Sequence, residues 1–231
     1  MTAVEVWWAK IGDVRWELIA DLDDAERGRL AAYARQEDKD RFLLGAAVTR
    51  RVLGMHQMIR PADVRLDRTC EDCGRPHGKV KAKGMQLSVS HSGDLIGVAF
   101  HPTAPVGLDV EKVDLGIDAD SLAVVSLAEV ETQELKKYEP ADRARVFTRY
   151  WTRKEAVVKA TGDGMRSDLR RLVVSPPDQP AELLSWPMYD GGIQLVDLEI
   201  GSDYSAALAI LTSDEVRIHS MDAAPLLRQT S

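Results

Sequence analysis

The segment Leu87–Glu111, LSVSHSGDLIGVAFHPTAPVGLDVE, sets the structural class of the protein. Leu87-Ser88-Val89-Ser90 alternates apolar with polar, and Gly93-Asp94 is a turn signal. Leu95–Phe100 is a second strand, so the segment predicts a β-hairpin. Pro102 and Pro105 punctuate its exit, and Val106–Glu111 alternates again as a third strand. Upstream, Val4–Trp8 reads as a strand and residues 23–36 as a helix that Asp23 or Asp24 can cap. Residues 38–58 continue helical, with Phe42, Leu43, Ala46, Ala47, Val48, Val52, Leu53 and Met55 on a broad apolar face that Pro61 ends. Downstream, residues 119–138 and 141–160 predict two helices. Beyond Pro176, Pro177 and Pro180, strands are expected near 193–200, 204–211 and 215–219. Strands and helices in this order make an α+β fold rather than a regular βαβ alternation. The expected organisation is an N-terminal half over 1–103, a C-terminal half over 104–221 and a fraying tail over 222–231.

The 231 residues are 45% hydrophobic and 29% charged, an ordinary balance for a soluble globular chain. The longest apolar run, Ala206–Leu211, is too short to span a bilayer, and no basic-then-apolar leader opens the sequence. Cys70 and Cys73 are the only cysteines and make no disulfide framework, so a cytoplasmic setting is expected. Net charge is −7, which disfavours generic nucleic-acid binding. Residues 27–91, however, hold 14 Lys+Arg against 7 Asp+Glu. A basic segment inside an acidic protein points to a compact polyanion such as a nucleotide, or else to a solvated mixed-charge surface.

Three clusters can carry chemistry. In the strand 106–111, Gly107, Asp109 and Glu111 share one face. Two carboxylates side by side repel unless a cation lies between them, and hard oxygen donors suit Mg²⁺; solvated acids on an exposed strand are the alternative. In the helix after Phe147, Trp151, Glu155 and Lys159 are spaced i, i+4, i+8 and form one stripe. There Glu155 is a third candidate ligand and Lys159 a phosphate contact, or the two make a surface pair beside a core tryptophan. Ser88-Val89-Ser90-His91-Ser92-Gly93 puts hydroxyls and an imidazole at a strand end, a place that favours anions. No Gly-x-Ser-x-Gly elbow surrounds Ser90, which argues against a hydrolase nucleophile.

Ser90-His91-Ser92, Val106–Glu111 and the run Trp151–Gly164 (WTRKEAVVKATGDG) together resemble the larger, surfactin-synthetase-activating type of 4′-phosphopantetheinyl transferase. Arg41–Gly45 and Gly78-Lys79 fit the same pattern. The resemblance implies two similar α+β halves in pseudo-twofold arrangement, with the active site in the cleft between them. It implies transfer of the 4′-phosphopantetheine arm of coenzyme A to a serine of an apo acyl or peptidyl carrier protein, with release of 3′,5′-ADP. By resemblance Asp109, Glu111 and Glu155 hold Mg²⁺, Glu155 acts as base, and Lys159 steadies the pyrophosphate. His91 and Lys79 bind the 3′-phosphate beside Ser90, and Arg41 meets the nucleotide end. A monomer that serves polyketide or nonribosomal peptide synthases, with residues 119–138 as carrier surface, completes the expectation.

The chain departs from the family pattern at Val80, where proline is common, and offers Arg27 and Arg29 where some members carry lysines. Cys70, Cys73 and His77 hint at a zinc knuckle, but a structural zinc needs four ligands and only His56 or a distant group could complete it, so a reduced loop is expected. Two other functions remain open at this point. One is a nucleotide-binding module without catalysis; the other is a Mg²⁺-dependent phosphoesterase with water as nucleophile.

Overall fold

In chain order the strands of this computed structural model are β1 (Ala3–Lys10), β2 (Leu66–Asp67), β3 (Lys81–Ala82), β4 (Gln86–Ser92), β5 (Leu95–His101) and β6 (Val106–Lys112). They continue with β7 (Val173–Val174), β8 (Leu183–Ser185), β9 (Gln194–Asp197), β10 (Tyr204–Ile210) and β11 (Arg217–Asp222). The helices are α1 (Asp24–Ala32), α2 (Gln36–Gln57), α3 (Ala119–Ser126), α4 (Glu129–Leu135), α5 (Arg143–Thr161) and α6 (Ala224–Leu227). The structure describes residues 3–69, 74–75, 78–164 and 168–229. Cys70, Cys73 and His77, the zinc-knuckle residues considered above, lie outside them. Among the described residues no helix is long and apolar enough to cross a membrane. The chain divides into two compact units, Met1–Thr103 with Val216–Ser231, and Ala104–Glu215.

The first unit is a four-stranded sheet of order β11-β1-β5-β4. The predicted hairpin is β4–β5, in register Ser90↔Gly97 and His91↔Ile96. Leu43, Leu44, Ala47, Val48 and Val52 of α2 bury against Leu87, Ile96, Val98 and Phe100. A Cβ at Gly45 would stand 3.3 Å from Val89 Cγ1, so α2 lies close on β4 just where His91 follows. α1 starts on a capping box: Glu26 N donates to Asp23 Oδ1 at 2.8 Å and Asp23 N to Glu26 Oε2 at 3.1 Å.

The C-terminal segment corrects two expectations. β11 pairs in parallel with β1, so residues from Val216 onward belong to the first unit, not to the half expected to run to 221. The described part of the tail is packed rather than frayed: Ala223, Leu226 and Leu227 enter the core. Buried Arg51 donates to Leu226 O at 2.7 Å and Gln229 O at 2.8 Å and is itself held by Asp21 at 2.6 Å.

The second unit is an antiparallel sheet of order β6-β10-β9 with α5 across it. The predicted helix over 119–138 is two helices. Leu127 is extended, and Glu131 Oε2 accepts from Ala128 N at 2.8 Å, which starts α4 afresh. Phe147, Tyr150, Val157 and Val158 of α5 bury into a core shared with Leu172, Trp186 and Leu195, whereas Trp151 stays half-buried.

Candidate active site

The first candidate cluster is built where α5 crosses β6. Gly107 makes the crossing possible: a Cβ there would fall 2.0 Å from Ala156 O and 2.3 Å from Ala160 N. The helix backbone therefore rests directly on the strand, and Asp109 and Glu111 emerge on the same strand face beyond it. The facing strand leaves room, since Ala209 and Ala207 are the register partners of Gly107 and Asp109.

On α5, Trp151, Glu155 and Lys159 are half-buried, while Thr152–Lys154, Ala156–Val158 and Ala160 are buried. The stripe predicted from i, i+4 spacing is thus the one open line on this part of the helix. Lys159 Nζ donates to Asp109 Oδ1 at 2.6 Å, and the Asp109 side chain is almost wholly buried. Burial raises the Glu155 carboxyl above the ordinary glutamate value; Asp109 raises it further, Lys159 opposes, and Glu111 adds to the rise. Glu155 feels the charge of both other acids.

They do not form the three-carboxylate shell expected of them. Among the described residues no group of three His, Cys, Asp or Glu side chains stands in a coordination arrangement. The Lys159 ammonium engages Asp109 instead. By chemistry the donors fit a hard divalent cation, being all carboxylate oxygen, with Glu155 destabilised as an anion by burial and by the two other acids.

The buried face of α5 carries charges that the sequence reading missed. Lys154 and Glu131 form a buried ion pair; Lys154 Nζ also donates to Leu172 O at 2.6 Å and Leu169 O at 2.9 Å. Burial pushes the Lys154 ammonium below its ordinary value, and Glu131 opposes the shift. Arg153 is clamped bidentately by Asp197 at 2.9 and 2.6 Å. Glu131 was legible in part, because Ala128-x-x-Glu131 has the acid of a capping box.

The second cluster lies in the first unit. A cleft of about 220 Å³ is lined by Arg29, Arg41, Arg68 and His91, with Tyr33 and Phe42 among its walls. Arg29 sits over the Phe42 ring, 5.3 Å from its centroid, and Tyr33 meets Phe42 at 5.5 Å. Guanidinium groups and aromatic faces in one cleft suit an anionic group joined to a flat ring. Arg41 also donates to Gly93 O at 2.8 Å and to Asp38 at 3.0 Å, which ties α2 to the hairpin turn beside His91. Arg68 was not anticipated; it pairs with buried Glu26, which also holds fully buried Arg50.

Two expected neighbours fall elsewhere. Ser90 does not line the cleft, because strand alternation turns it to the opposite face from His91, where it is buried. Lys79 does not line it either; burial, with Lys81 adding, pushes its ammonium down to about 8. Of the two arginines weighed as phosphate contacts, Arg29 lines the cleft, whereas Arg27 pairs with Asp24 on the surface.

A family model described as the 4′-phosphopantetheinyl transferase superfamily matches residues 105–209, the unit that carries Asp109, Glu111, Glu155 and Lys159. Over 196 residues the chain is 30% identical to the 4′-phosphopantetheinyl transferase HetI of Nostoc sp., an alignment covering 84% of this chain and 80% of that one. It is 28% identical over 192 residues to a phosphopantetheinyl transferase of Thraustochytrium sp., of which it spans 64%. The 4′-phosphopantetheinyl transferase psf-1 of Bacillus pumilus is 32% identical over 142 residues, or 61% of this chain and 56% of that one. Among solved structures, the holo-[acyl-carrier-protein] synthase of Thermotoga maritima aligns with a TM-score of 0.40 at 18% identity, covering 49% of this chain and 66% of that one.

Proposed function

The chain belongs to the 4′-phosphopantetheinyl transferase superfamily, enzymes that place phosphopantetheine on carrier proteins, and we propose that it moves the 4′-phosphopantetheine group of coenzyme A to a carrier serine and releases 3′,5′-ADP. The observation that carries this reading is the half-buried stripe of Glu155 and Lys159 set against Asp109 of β6.

Asp109, Glu111 and Glu155 would hold Mg²⁺, whose chemistry when bound is to offset charge on the diphosphate of coenzyme A. Glu155 takes the proton of the carrier serine hydroxyl, directly or through a water. The serine oxygen bonds to the phosphorus of the pantetheine phosphate as the bond to the ADP oxygen breaks. Lys159 supplies positive charge where the departing 5′-phosphate of 3′,5′-ADP gathers negative charge. In the first unit, His91, Arg41 and Arg29 take the 3′-phosphate and adenine in their cleft; Lys79, which does not line that cleft, reaches a phosphate from outside it. Ser90 is left with a structural role on the buried face of β4.

The carrier contacts α3 and α4, where Leu122, Val124, Val125 and Val130 are exposed. The same reading includes work as a cytoplasmic monomer on carriers of polyketide or nonribosomal peptide synthases.

Purified protein incubated with coenzyme A, Mg²⁺ and a panel of apo carriers tests it. The expected result is a phosphopantetheine mass gain on at least one carrier, lost with chelator and in Glu155→Gln. Release of 3′,5′-ADP in the absence of any carrier would support a phosphoesterase instead. No mass gain on any carrier, with coenzyme A still bound, would support a binding module.

A further inference from the structure

We propose that the apo carrier docks over the N-terminal half of α5, with an apolar side chain on Trp151 and acidic side chains against Arg145 and Arg149; the inference rests on the reading of Glu155 and Lys159 as reacting groups. Their order along the helix sets the direction of approach. Lys159, Glu155 and Trp151 follow one another on the half-buried line at intervals of about 6 Å along the axis. In phosphoryl transfer the attacking and leaving oxygens stand roughly in line, on opposite sides of the phosphorus. With the leaving oxygen at Lys159 and the serine at Glu155, coenzyme A lies towards the C-terminal end of the line. The partner that brings the serine therefore comes in over the other end, where Trp151 is the next side chain. Phe147, buried one turn earlier, stacks against Trp151 with ring centroids 6.3 Å apart at 26°. A ring held from behind and open in front anchors a partner with little loss of rotamer freedom.

Arg145 and Arg149 supply the charge. With Thr152, Ala156 and Ala160 they make one stripe, spaced i, i+4, i+7, i+11 and i+15. From Thr152 onward the stripe is buried, and Ala156 and Ala160 are where the helix meets β6. Arg145 and Arg149 are exposed, so the first turns of α5 overhang the sheet. Main-chain oxygens restrain both guanidinium groups: Arg145 donates to Ser202 O, and Arg149 to Pro177 O at 3.0 Å. Among the described residues neither has a carboxylate within ion-pair distance, whereas Arg143, Arg153, Lys154 and Lys159 of the same helix each have one.

Two restrained, uncompensated cations on a protein of net charge −7 mark where an acidic surface is accepted and the rest of the surface is less welcoming to it. At about 100° per residue, Arg145 lies roughly 80° round the axis from Glu155. Lys154, which donates to Ser126 O of α3, lies roughly 100° round on the other side. The open line thus runs between the arginines and α3, and a carrier seated over Glu155 reaches both flanks. An aromatic anchor with arginines beside it is also the composition in which binding energy concentrates at protein interfaces.

The experiment measures steady-state transfer by the full chain with coenzyme A and Mg²⁺. The acceptors are an apo carrier with acidic side chains flanking its serine and a version of it with those acids changed to lysine. Arg145→Glu with Arg149→Glu should raise the KM for the acidic carrier about tenfold and leave the KM for coenzyme A as it was. The lysine-bearing carrier should reverse the preference. Arg145→Gln with Arg149→Gln keeps donors for Ser202 O and Pro177 O but removes the charge, so it should flatten the rise of carrier KM with added salt that the wild type shows. Trp151→Leu should raise the carrier KM roughly tenfold. A thermal melt separates docking from folding: a lowered midpoint with an unchanged carrier KM assigns the arginines a structural role and overturns the proposal. So does a KM for coenzyme A that rises as much as that for the carrier. A wild type that transfers to neither carrier nor to any other overturns the reading of Glu155 and Lys159 as well.

Discussion

Replacing Gly107 by alanine adds one carbon atom at the point where α5 crosses β6. That carbon would stand 2.0 Å from Ala156 O and 2.3 Å from Ala160 N, both backbone atoms that no side-chain rotation can move. Ordinary contact begins near 3.4 Å, so the helix must lift by roughly 1.4 Å along that direction. Glu155 and Lys159 travel with it, and the 2.6 Å ion pair between Lys159 and Asp109 opens beyond hydrogen-bond reach. Forced overpacking of this kind costs about 1–3 kcal/mol. A displacement of about 1 Å at reacting groups costs about 100-fold in rate. Gly107→Ala should therefore lose about 100-fold in single-turnover transfer from coenzyme A to an apo carrier. Urea denaturation should show a protein that is destabilised but still folds cooperatively. A variant with wild-type rate and wild-type stability would refute the claim that this crossing places the acids against the α5 stripe.

Other perturbations probe the parts separately. Glu131→Gln leaves the buried Lys154 ammonium without its carboxylate and should cost about 3–5 kcal/mol by urea denaturation, whereas Glu131→Leu with Lys154→Met should recover much of it; equal losses in the single and double variants would count against the pair. Glu155 has a raised pKa when folded, so the folded state holds its proton to higher pH than the unfolded chain, and stability falls as pH rises from the unfolded value through the folded one. Glu155→Gln should accordingly raise the melting midpoint at pH 7 in chelator-treated buffer and abolish transfer in Mg²⁺ buffer, and a lowered midpoint would contradict the site's electrostatics. The Lys79 ammonium, held down to about 8, loses its charge as pH rises past that value, so the KM for coenzyme A should climb about tenfold between pH 7 and pH 9. Lys79→Arg stays charged throughout and should flatten that rise; a rise that persists unchanged would remove Lys79 from phosphate binding.

Periodicity made much of this legible. Alternation gave the hairpin of β4 and β5 and put Gly107, Asp109 and Glu111 on one face; 3.6-residue spacing put Trp151, Glu155 and Lys159 on one stripe. Both patterns depend only on local backbone geometry, which is why they read directly from the letters. Ser90 shows the same rule applied incompletely: its place next to His91 in sequence is what turns it to the other face of β4. A strand near 215–219 was legible, but its distant partner stayed hidden. Arg217–Asp222 forms a strand because β1 offers it a parallel edge more than 200 residues earlier in the chain, and nothing inside the segment announces that partner.

The charges of α5 show why composition misleads about burial. In Arg153-Lys154-Glu155 three consecutive ionic residues suggest a solvated surface, yet only Glu155 is half-open and the other two are buried. Lys154 is satisfied by Glu131 and by carbonyls of Leu169 and Leu172, Arg153 by Asp197 and by carbonyls of Pro176 and Gln179. Each cation ties the helix to segments distant in sequence, which restrains its rotation about its own axis. A rotation of one residue, about 100°, would carry Glu155 off the line that faces Asp109. Breaking a buried pair by removing one partner is expensive, so the rotation is resisted by several kcal/mol for each anchor. The side chains that aim Glu155 at β6 are therefore its own immediate neighbours, Arg153 and Lys154, which point the other way.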